Sequence, residues 1–256
     1  MNPSLHADAL GRLEDLPADY IADMTALSIA PLWPQLRGLL PRGKPARATQ
    51  PFVWHYQDVR PQLMRAGELT PIEKAERRVL VLCNPGHGIE KLVATPTIYV
   101  GMQLILPGEV APNHRHTPSA VRFVVEGEGG FTTVQGEKCP MHKGDLILTP
   151  AGLWHEHAHE GNGPVVWLDA LDLPMVYSME ASYAIEGPSQ NAGPDLDASQ
   201  TKYRRAGLVP FGSLSQAARA PYPQIRYPWV DVREALNALD KGTPTDAAVQ
   251  LAYVNP

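Results

Sequence analysis

The sequence predicts a mainly β protein built around a jelly-roll barrel, with an N-terminal helical cap and a partly irregular C-terminal extension. Between residues 97 and 171 the chain breaks into short apolar runs of strand length, and Gly and Pro separate these runs. A His-X-His pair lies in the same stretch, and its spacing suits one face of a strand. Regularly spaced short strands with such turns are typical of sandwiches and jelly-roll barrels. The predicted strands span residues 97–106, 121–126, 131–135, 146–149, 154–159 and 165–171.

Helical patterns precede the predicted barrel. Apolar residues recur at helical spacing over residues 4–27 and are interrupted at Pro17, which predicts two short helices. Thr70-Pro71-Ile72-Glu73 resembles a helix start and predicts a helix that runs through Arg78 into an apolar strand at 79–83. We therefore assign residues 1–78 to the cap and residues 79–175 to the barrel.

The remaining residues, 176–256, are predicted to form a linker and C-terminal extension. Gly, Pro, Ser, Asn and Asp are frequent in its first part, which is typical of loops. Residues 232–239 are the exception, because their pattern predicts a short helix.

Composition excludes several classes of function. A net charge of -5 and a pI near 6.0 leave no basic field for nucleic acid. The two cysteines, Cys83 and Cys139, lie far apart, which argues against a thiolate zinc site and a disulfide framework and fits a cytoplasmic protein. The N-terminus has no signal-peptide pattern, and no apolar run is long enough to cross a bilayer, so we expect no membrane association.

Three histidines form a candidate metal site. In a strand, residues i and i+2 point to the same face roughly 6.5 to 7 Å apart, so His114 and His116 can converge on one ion. His155 closes the set from a neighbouring strand. The segments 108–116 and 144–155 match the two motifs of the cupin superfamily, which favours a ligand set over histidines in ordinary hydrogen bonds. Imidazole donors suit iron, zinc, copper or nickel better than magnesium or calcium.

The predicted site lacks a carboxylate. The usual cupin pattern places a Glu four residues beyond the second His, where this chain has Ala120. Three neutral ligands leave the full charge of a divalent ion in place, which favours an anionic, chelating substrate. Arg122 points to the same inner face if strand parity survives Pro118. Its guanidinium fork matches a carboxylate, and the alternative is a surface or ion-paired arginine.

Further polar residues are predicted to line the cavity. Tyr99, Gly101 and Gln103 share one face of a strand, where Gln103 can donate a hydrogen bond and Gly101 leaves space for a ligand. His157 shares a face with His155, and we expect it to act as an acid or base.

Two residues near the end of the barrel complete the set. Asp169 lies in an apolar strand and needs a partner, for which we expect His157. His159, two residues beyond His157, is expected at the rim of the cavity.

Over nearly its whole length the chain resembles gentisate 1,2-dioxygenases and their relatives that act on salicylate and 1-hydroxy-2-naphthoate. The resemblance implies one Fe(II) held by the three histidines that correspond to His114, His116 and His155. It also implies that Arg122 holds the substrate carboxylate, that the matches of Gln103, His157 and Asp169 line the pocket, and that Arg78 contributes to substrate binding. Besides the cupin motifs, the shared segments are Phe52-Val53-Trp54-His55-Tyr56, Arg60-Pro61, Ala75-Glu76-Arg77-Arg78-Val79-Leu80, Asn84-Pro85-Gly86 and Ser119-Ala120-Val121-Arg122-Phe123.

The activity implied by this resemblance is cleavage of a hydroxylated aromatic acid by O2, between the carboxyl-bearing carbon and the adjacent hydroxyl-bearing carbon. For gentisate the product is maleylpyruvate. Salicylate and 1-hydroxy-2-naphthoate are alternative substrates, and Tyr99 bears on the choice because many gentisate enzymes carry Trp there.

Two hypotheses that assign the chain to other classes of function stay open. One is a non-catalytic, metal-bearing module that binds aromatic acids, and the other is a cupin isomerase or sugar-acid enzyme that uses zinc or manganese. Family members carry a second cupin after the linker, about where this sequence ends. We therefore expect either a fragment, a shortened gene product, or a chain whose apolar surfaces pair with a second copy as a homo-oligomer.

Overall fold

The computed structural model of the protein describes residues 11–190, 197–203, 224–240 and 250–253. The chain divides into two compact units, Met1–Gln50 and Pro51–Pro256. In the first unit, a 3-10 turn precedes helix α1, which begins directly after Pro17, as the sequence predicts. The part of the predicted N-terminal helix before residue 11 lies outside the described residues. The elements of this unit are the turn Leu13–Asp15, α1 Ala18–Ala26 and α2 Leu36–Leu39.

The second unit contains two antiparallel sheets, which confirms the predicted mainly β jelly-roll. Sheet A has the strand order β1-β2-β9-β4-β7-β11, and sheet B has the order β10-β3-β8-β5-β6. The strands are β1 Arg78–Val81, β2 Tyr99–Ile105, β3 Val110–His116, β4 Ala120–Glu126, β5 Gly130–Val134, β6 Glu137–Met141, β7 Leu146–Thr149, β8 His155–His159, β9 Val165–Leu171, β10 Ala184–Glu186 and β11 Arg226–Tyr227.

Apolar residues pack on both faces of sheet A. One buried cluster fills the space between the sheets and includes Ile105, Val124 and Trp167. A second cluster lies between sheet A and helix α3, Tyr56–Leu69, where Leu63 packs with Leu104. The barrel therefore has an apolar floor inside and a helix against its outer wall.

The helix after α3 is shorter than the sequence predicts. Helix α4 spans only Ile72–Ala75, and Arg78 is the first residue of β1, so the predicted helix through Arg78 is wrong. The physical reason is Glu76, whose φ of 53° lies in the left-handed region that a right-handed helix cannot continue through.

Buried polar contacts anchor the C-terminal segment to the barrel. Asp145 accepts hydrogen bonds from the Arg226 guanidinium and, at 2.8 Å, from the backbone N–H of Trp229. That N–H belongs to the first turn of helix α7, Trp229–Asp240, which includes the predicted helix at 232–239. The other helices of this unit are α5 Leu173–Ser178 and α6 Ala198–Tyr203, and a 3-10 turn spans Ile89–Lys91.

A short segment after β10 fastens the strands of sheet B. Gln190 donates its backbone N–H to Glu156 and its side-chain amide to Asn113. Glu156 lies between two histidines of β8, and Asn113 precedes a histidine of β3. The segment therefore ties together the two strands that carry the candidate ligands. Within the described part of the chain, no helix combines the length and apolar character that crossing a membrane requires.

Candidate metal centre

Three histidine rings meet on the inner side of sheet B. His114 and His155 lie directly opposite each other in neighbouring strands, and their ring centroids are 4.0 Å apart. His116 completes the trio, with ring centroids 5.2 Å from His114 and 4.8 Å from His155. One ligand nitrogen from each residue lies within 4.8 Å of the other two. The structure thus brings together the three residues that the two motifs single out.

A β-bulge in β3 contributes to this convergence. The register with β8 shifts between Ala111, which pairs with His157, and His114, which pairs with His155. One extra residue in β3 is accommodated there, and bulges of this kind re-aim the side chains that follow them.

Backbone carbonyls fix the tautomer of two of the three rings. His116 donates from Nδ1 to the carbonyl of Pro118 at 2.7 Å, and His155 donates from Nδ1 to the carbonyl of Leu153 at 3.0 Å. Because a carbonyl only accepts, both rings carry the proton on Nδ1 and leave Nε2 with a lone pair. His155 Nε2 is buried and has no hydrogen-bond partner among the described residues.

The donor set fits a first-row transition metal. An orphaned, buried imidazole nitrogen is costly unless something occupies its lone pair. The trio contains only uncharged nitrogen donors, and the nearby Ala120, which is 3% exposed, adds none. Nitrogen donors of this kind suit iron, zinc, copper or nickel.

The trio is uncharged at neutral pH. Burial lowers the pKa of His114 to about 3, with the Arg77 charge as a further cause. Burial also lowers the pKa of His116, and it holds the pKa of His155 and of His157 well below the usual value. The three candidate ligands and His157 are therefore neutral imidazoles, the form in which a histidine binds a metal ion or accepts a proton.

The metal-free protein is expected to lose stability in mild acid. The four site histidines are neutral in the fold but take up protons in the unfolded chain below about pH 6.5, so the unfolded state binds more protons. The unfolding free energy then falls with decreasing pH, by up to about 1.4 kcal/mol per pH unit for each histidine. Urea unfolding of metal-free protein at pH 7, 6 and 5 measures this, and a constant free energy across that range would contradict it.

The wall opposite the trio carries a buried ion pair. Arg122 and Asp169 face each other across β4 and β9, with Nε 3.2 Å from Oδ1. Arg122 is 3% exposed and also donates from Nη1 to the Thr149 hydroxyl. Burial raises the pKa of Asp169, and the Arg122 charge opposes this rise. The alternation of inward and outward side chains therefore continues past Pro118. Arg122 lies in the interior, where it is ion-paired with Asp169.

The expected pairing of Asp169 with His157 is wrong. Besides its ion pair with Arg122, Asp169 accepts a hydrogen bond from Trp167 Nε1 at 2.9 Å. His157 instead has its Nδ1 2.8 Å from the hydroxyl of Thr132. Its ring centroid lies 6.0 Å from that of His155 and 5.0 Å from that of Trp167. The cross-strand register decides these partners, and the sequence does not reveal it.

His159 is buried and does not lie at a solvent-exposed rim. Its ring contacts the carbonyl of Gly163 through Nε2, and Nδ1 accepts the backbone N–H of Gly161 at 2.9 Å. The side chain thereby closes the turn after β8, which corrects the expectation of a rim residue.

Strand β2 supplies Gln103 and Gly101 to the same interior. Gln103 is 3% exposed, and its Nε2 has no hydrogen-bond partner among the described residues, so it is a donor available to a ligand. A Cβ on Gly101 would lie 2.5 Å from Val79 Cγ1 and 2.7 Å from the Tyr99 hydroxyl. The space above Gly101 is thus filled by the protein itself, which corrects the expectation that it is left for a ligand.

Comparison with known proteins places this site in a family. A model of the family described as "Cupin domain" matches residues 101–171. Over 247 residues the chain is 60% identical to a gentisate 1,2-dioxygenase of Ralstonia sp., covering 96% of this chain and 69% of that protein. The chain belongs to the gentisate 1,2-dioxygenase family.

Another relative and one solved structure support the assignment to the gentisate 1,2-dioxygenase family. The chain is 39% identical to a 5-aminosalicylate 1,2-dioxygenase of Comamonas sp., an alignment that covers 91% of this chain and 63% of that protein. The crystal structure of salicylate 1,2-dioxygenase from Pseudoaminobacter salicylatoxidans with gentisate superimposes with a TM-score of 0.83 at 34% identity. That comparison covers 94% of this chain and 69% of the solved one. The chain spans about two thirds of the length of these relatives.

In this member of the gentisate 1,2-dioxygenase family, the arginine that reaches the trio is Arg77. Its Nη2 donates to the carbonyl of Pro112 at 2.6 Å and contacts Nδ1 of His114. Burial lowers its pKa to about 10. Arg78 instead pairs through both Nη atoms with Glu109, at 2.9 and 2.6 Å, and donates from Nε to Thr70.

The expected placement of Arg78 in the substrate pocket is therefore not what the structure shows. Side chains alternate along β1, and Val79 is paired with Gln103 of the cavity wall. Arg77 lies two residues before Val79 and therefore belongs to the same side of the alternation. This pattern could have identified Arg77, in place of Arg78, as the arginine of the cavity.

Proposed function

We propose that this chain is an Fe(II)-dependent dioxygenase that cleaves a hydroxylated aromatic acid between the carboxyl-bearing carbon and the adjacent hydroxyl-bearing carbon, with gentisate as the preferred substrate. The observation that carries the proposal is an uncharged three-histidine site facing a buried arginine across one barrel. Such a site favours a ligand that brings both a chelating oxygen pair and a negative charge. An ortho-hydroxy carboxylate has both.

The choice of iron rests on the donor set and on the relatives. Their names describe dioxygenases, and the trio of neutral imidazoles suits a redox-active first-row ion. When bound, Fe(II) supplies the electron-transfer centre that couples the aromatic acid to O2.

Arg122 is proposed to bind the substrate carboxylate. Asp169 Oδ1 lies 3.2 Å from Nε in an ion pair without a hydrogen bond, and the Thr149 hydroxyl accepts from Nη1, so both contacts restrict the guanidinium before a ligand arrives. This leaves Nη2 for an incoming carboxylate. Asp169 acts here as a positioning residue, held in turn by the Trp167 N–H.

Gln103 and His157 are proposed to contact the substrate oxygens. The unpartnered Nε2 of Gln103 can donate to an oxygen of the ligand. His157, neutral because of its burial, can accept the phenolic proton at Nε2, because Nδ1 is the nitrogen engaged by Thr132. Both groups lie inside the barrel, so their contacts exclude water from the reacting oxygens.

Substrate choice is proposed to depend on Tyr99. This residue begins β2 beside the ion pair, and burial together with the Asp169 charge raises the pKa of its phenol. Its hydroxyl therefore stays protonated and can donate to a ring substituent. Relatives of this chain are named for gentisate, 5-aminosalicylate and 1-hydroxy-2-naphthoate, which differ in those substituents.

Oxygen consumption tests the proposal directly. Protein reconstituted with Fe(II) is supplied with gentisate, 5-aminosalicylate, salicylate or 1-hydroxy-2-naphthoate in an oxygen electrode. We expect one O2 to be consumed for each ring cleaved, fastest with gentisate, and no uptake by the zinc-loaded protein. Anaerobic perturbation of the iron spectrum by gentisate without any oxygen uptake would overturn the proposed reaction and indicate a binding module.

A further inference from the structure

His157 differs from the candidate ligands in the group that lies next to its Nδ1. His116 and His155 donate from Nδ1 to backbone carbonyls, which cannot reverse the hydrogen bond. Nδ1 of His157 lies 2.8 Å from the hydroxyl of Thr132, which can either donate or accept. Thr132 and His157 are directly opposite each other in β5 and β8, and both are fully buried. The tautomer of His157 therefore depends on which way this hydroxyl points.

A second contact of Thr132 decides that direction. Its Oγ1 lies 3.7 Å from Sδ of Met141, in the neighbouring strand β6. A thioether sulfur can accept a hydrogen bond but has no proton to donate. If the hydroxyl donated to His157, its lone pairs would face the sulfur and that contact would be no hydrogen bond. Donation to Met141 and acceptance from His157 is the one arrangement that makes both contacts favourable.

We propose that Thr132, oriented by Met141, is a positioning residue that holds His157 as the Nδ1–H tautomer and leaves Nε2 unprotonated. The catalytic meaning of this tautomer rests on the proposed function, in which His157 Nε2 accepts the phenolic proton. The opposite tautomer would present an N–H to the substrate hydroxyl and could not accept its proton. The tautomer itself is a property of the protein and is measurable without any reaction.

Nitrogen NMR of the zinc-loaded protein measures the tautomer. Zinc is diamagnetic and is suited to three imidazole donors, and two-bond 1H–15N correlation of 15N-histidine-labelled protein distinguishes protonated from bare ring nitrogens. We expect the His157 signals, assigned by their loss in His157→Gln, to show protonated Nδ1 and bare Nε2. Thr132→Val should move the tautomer ratio toward Nε2–H by roughly fivefold to tenfold, the equilibrium equivalent of one neutral hydrogen bond. Thr132→Ser should keep the parental ratio.

Two variants make the test specific. Met141→Leu conserves volume but removes the sulfur acceptor, so the Thr132 hydroxyl is freed to donate to Nδ1 and the ratio should move toward Nε2–H. Thr133→Val is the matched control, because Thr133 is the adjacent, equally buried threonine and its Oγ1 has no hydrogen-bond partner among the described residues. It should leave the His157 signals unchanged. A bare Nδ1 in the parental protein, or equal shifts in the two valine variants, would overturn the inference.

Kinetics of the iron-loaded protein separate this inference from the proposed function. If both hold, Thr132→Val lowers kcat for gentisate by roughly tenfold, the scale of one neutral hydrogen bond, with little change in KM or iron content, and Thr132→Ser restores it. Absence of ring cleavage in the parental protein, with the expected NMR signals, would remove the proposed function and leave the tautomer assignment standing. Parental activity with a bare Nδ1 would remove the tautomer assignment alone.

Discussion

Replacing His155 with alanine is expected to abolish metal retention and ring cleavage together. The substitution removes one of three nitrogen donors and leaves a cavity at a fully buried position between strands of sheet B. Loss of even an outer hydrogen-bond partner of a ligand lowers metal affinity by about 10- to 100-fold, so loss of the ligand itself should exceed about 100-fold. Elemental analysis after Fe(II) reconstitution and desalting measures the effect, with oxygen uptake as the second readout.

The control for this experiment is His55→Ala. His55 is exposed and precedes α3 without a side-chain capping hydrogen bond, so its removal should leave iron content and activity at the parental level. Circular dichroism of both variants establishes that the barrel is intact. Parental iron content in the His155→Ala protein would show that the trio does not hold the metal.

Replacing Arg122 with methionine is expected to have the largest effect on stability. The change leaves Asp169 charged and unpaired in the interior, where removal of one partner of a buried ion pair typically costs about 3–5 kcal/mol. It also removes the proposed carboxylate partner, so affinity for gentisate should fall even at temperatures where the fold persists. Urea unfolding measures the stability, and anaerobic titration of the iron-loaded protein with gentisate measures the affinity.

The double variant Arg122→Met/Asp169→Asn separates the two effects. Asparagine removes the unpaired charge and retains an oxygen that can accept the Trp167 N–H, so most of the lost stability should return. Gentisate affinity should stay low, because nothing replaces the guanidinium. A single variant as stable as the parent, or a double variant that binds gentisate as tightly, would contradict the role assigned to this pair.

Local patterns of the sequence were sufficient for the barrel and for two members of the trio, whereas His155 was assigned from the second cupin motif. The period of two along a strand placed His114 and His116 on one face, and parity carried Arg122 to the interior. These properties depend on neighbours within one strand or on the next strand along the chain. They can therefore be predicted without knowing how the strands pair.

Features that depend on strands distant in sequence could not be predicted from local patterns. Asp169 pairs with Arg122 because β9 and β4 are neighbours in register, and no local pattern encodes that pairing. Strand β6 is absent from the predicted strands. It contains Pro140, which is tolerated because β6 is the edge strand of sheet B, where a missing N–H breaks no ladder. The space above Gly101 was misjudged because Val79, from another strand, fills it.

The two sheets contribute differently to the interior. The three candidate ligands and His157 come from β3 and β8 of sheet B, whereas Gln103, Arg122 and Asp169 come from sheet A. Substitutions on sheet A can accordingly reshape the recognised aromatic ring without altering the coordination of the ion. A fold with this separation allows related proteins to differ in the aromatic acid that they accept while they keep the same three metal ligands.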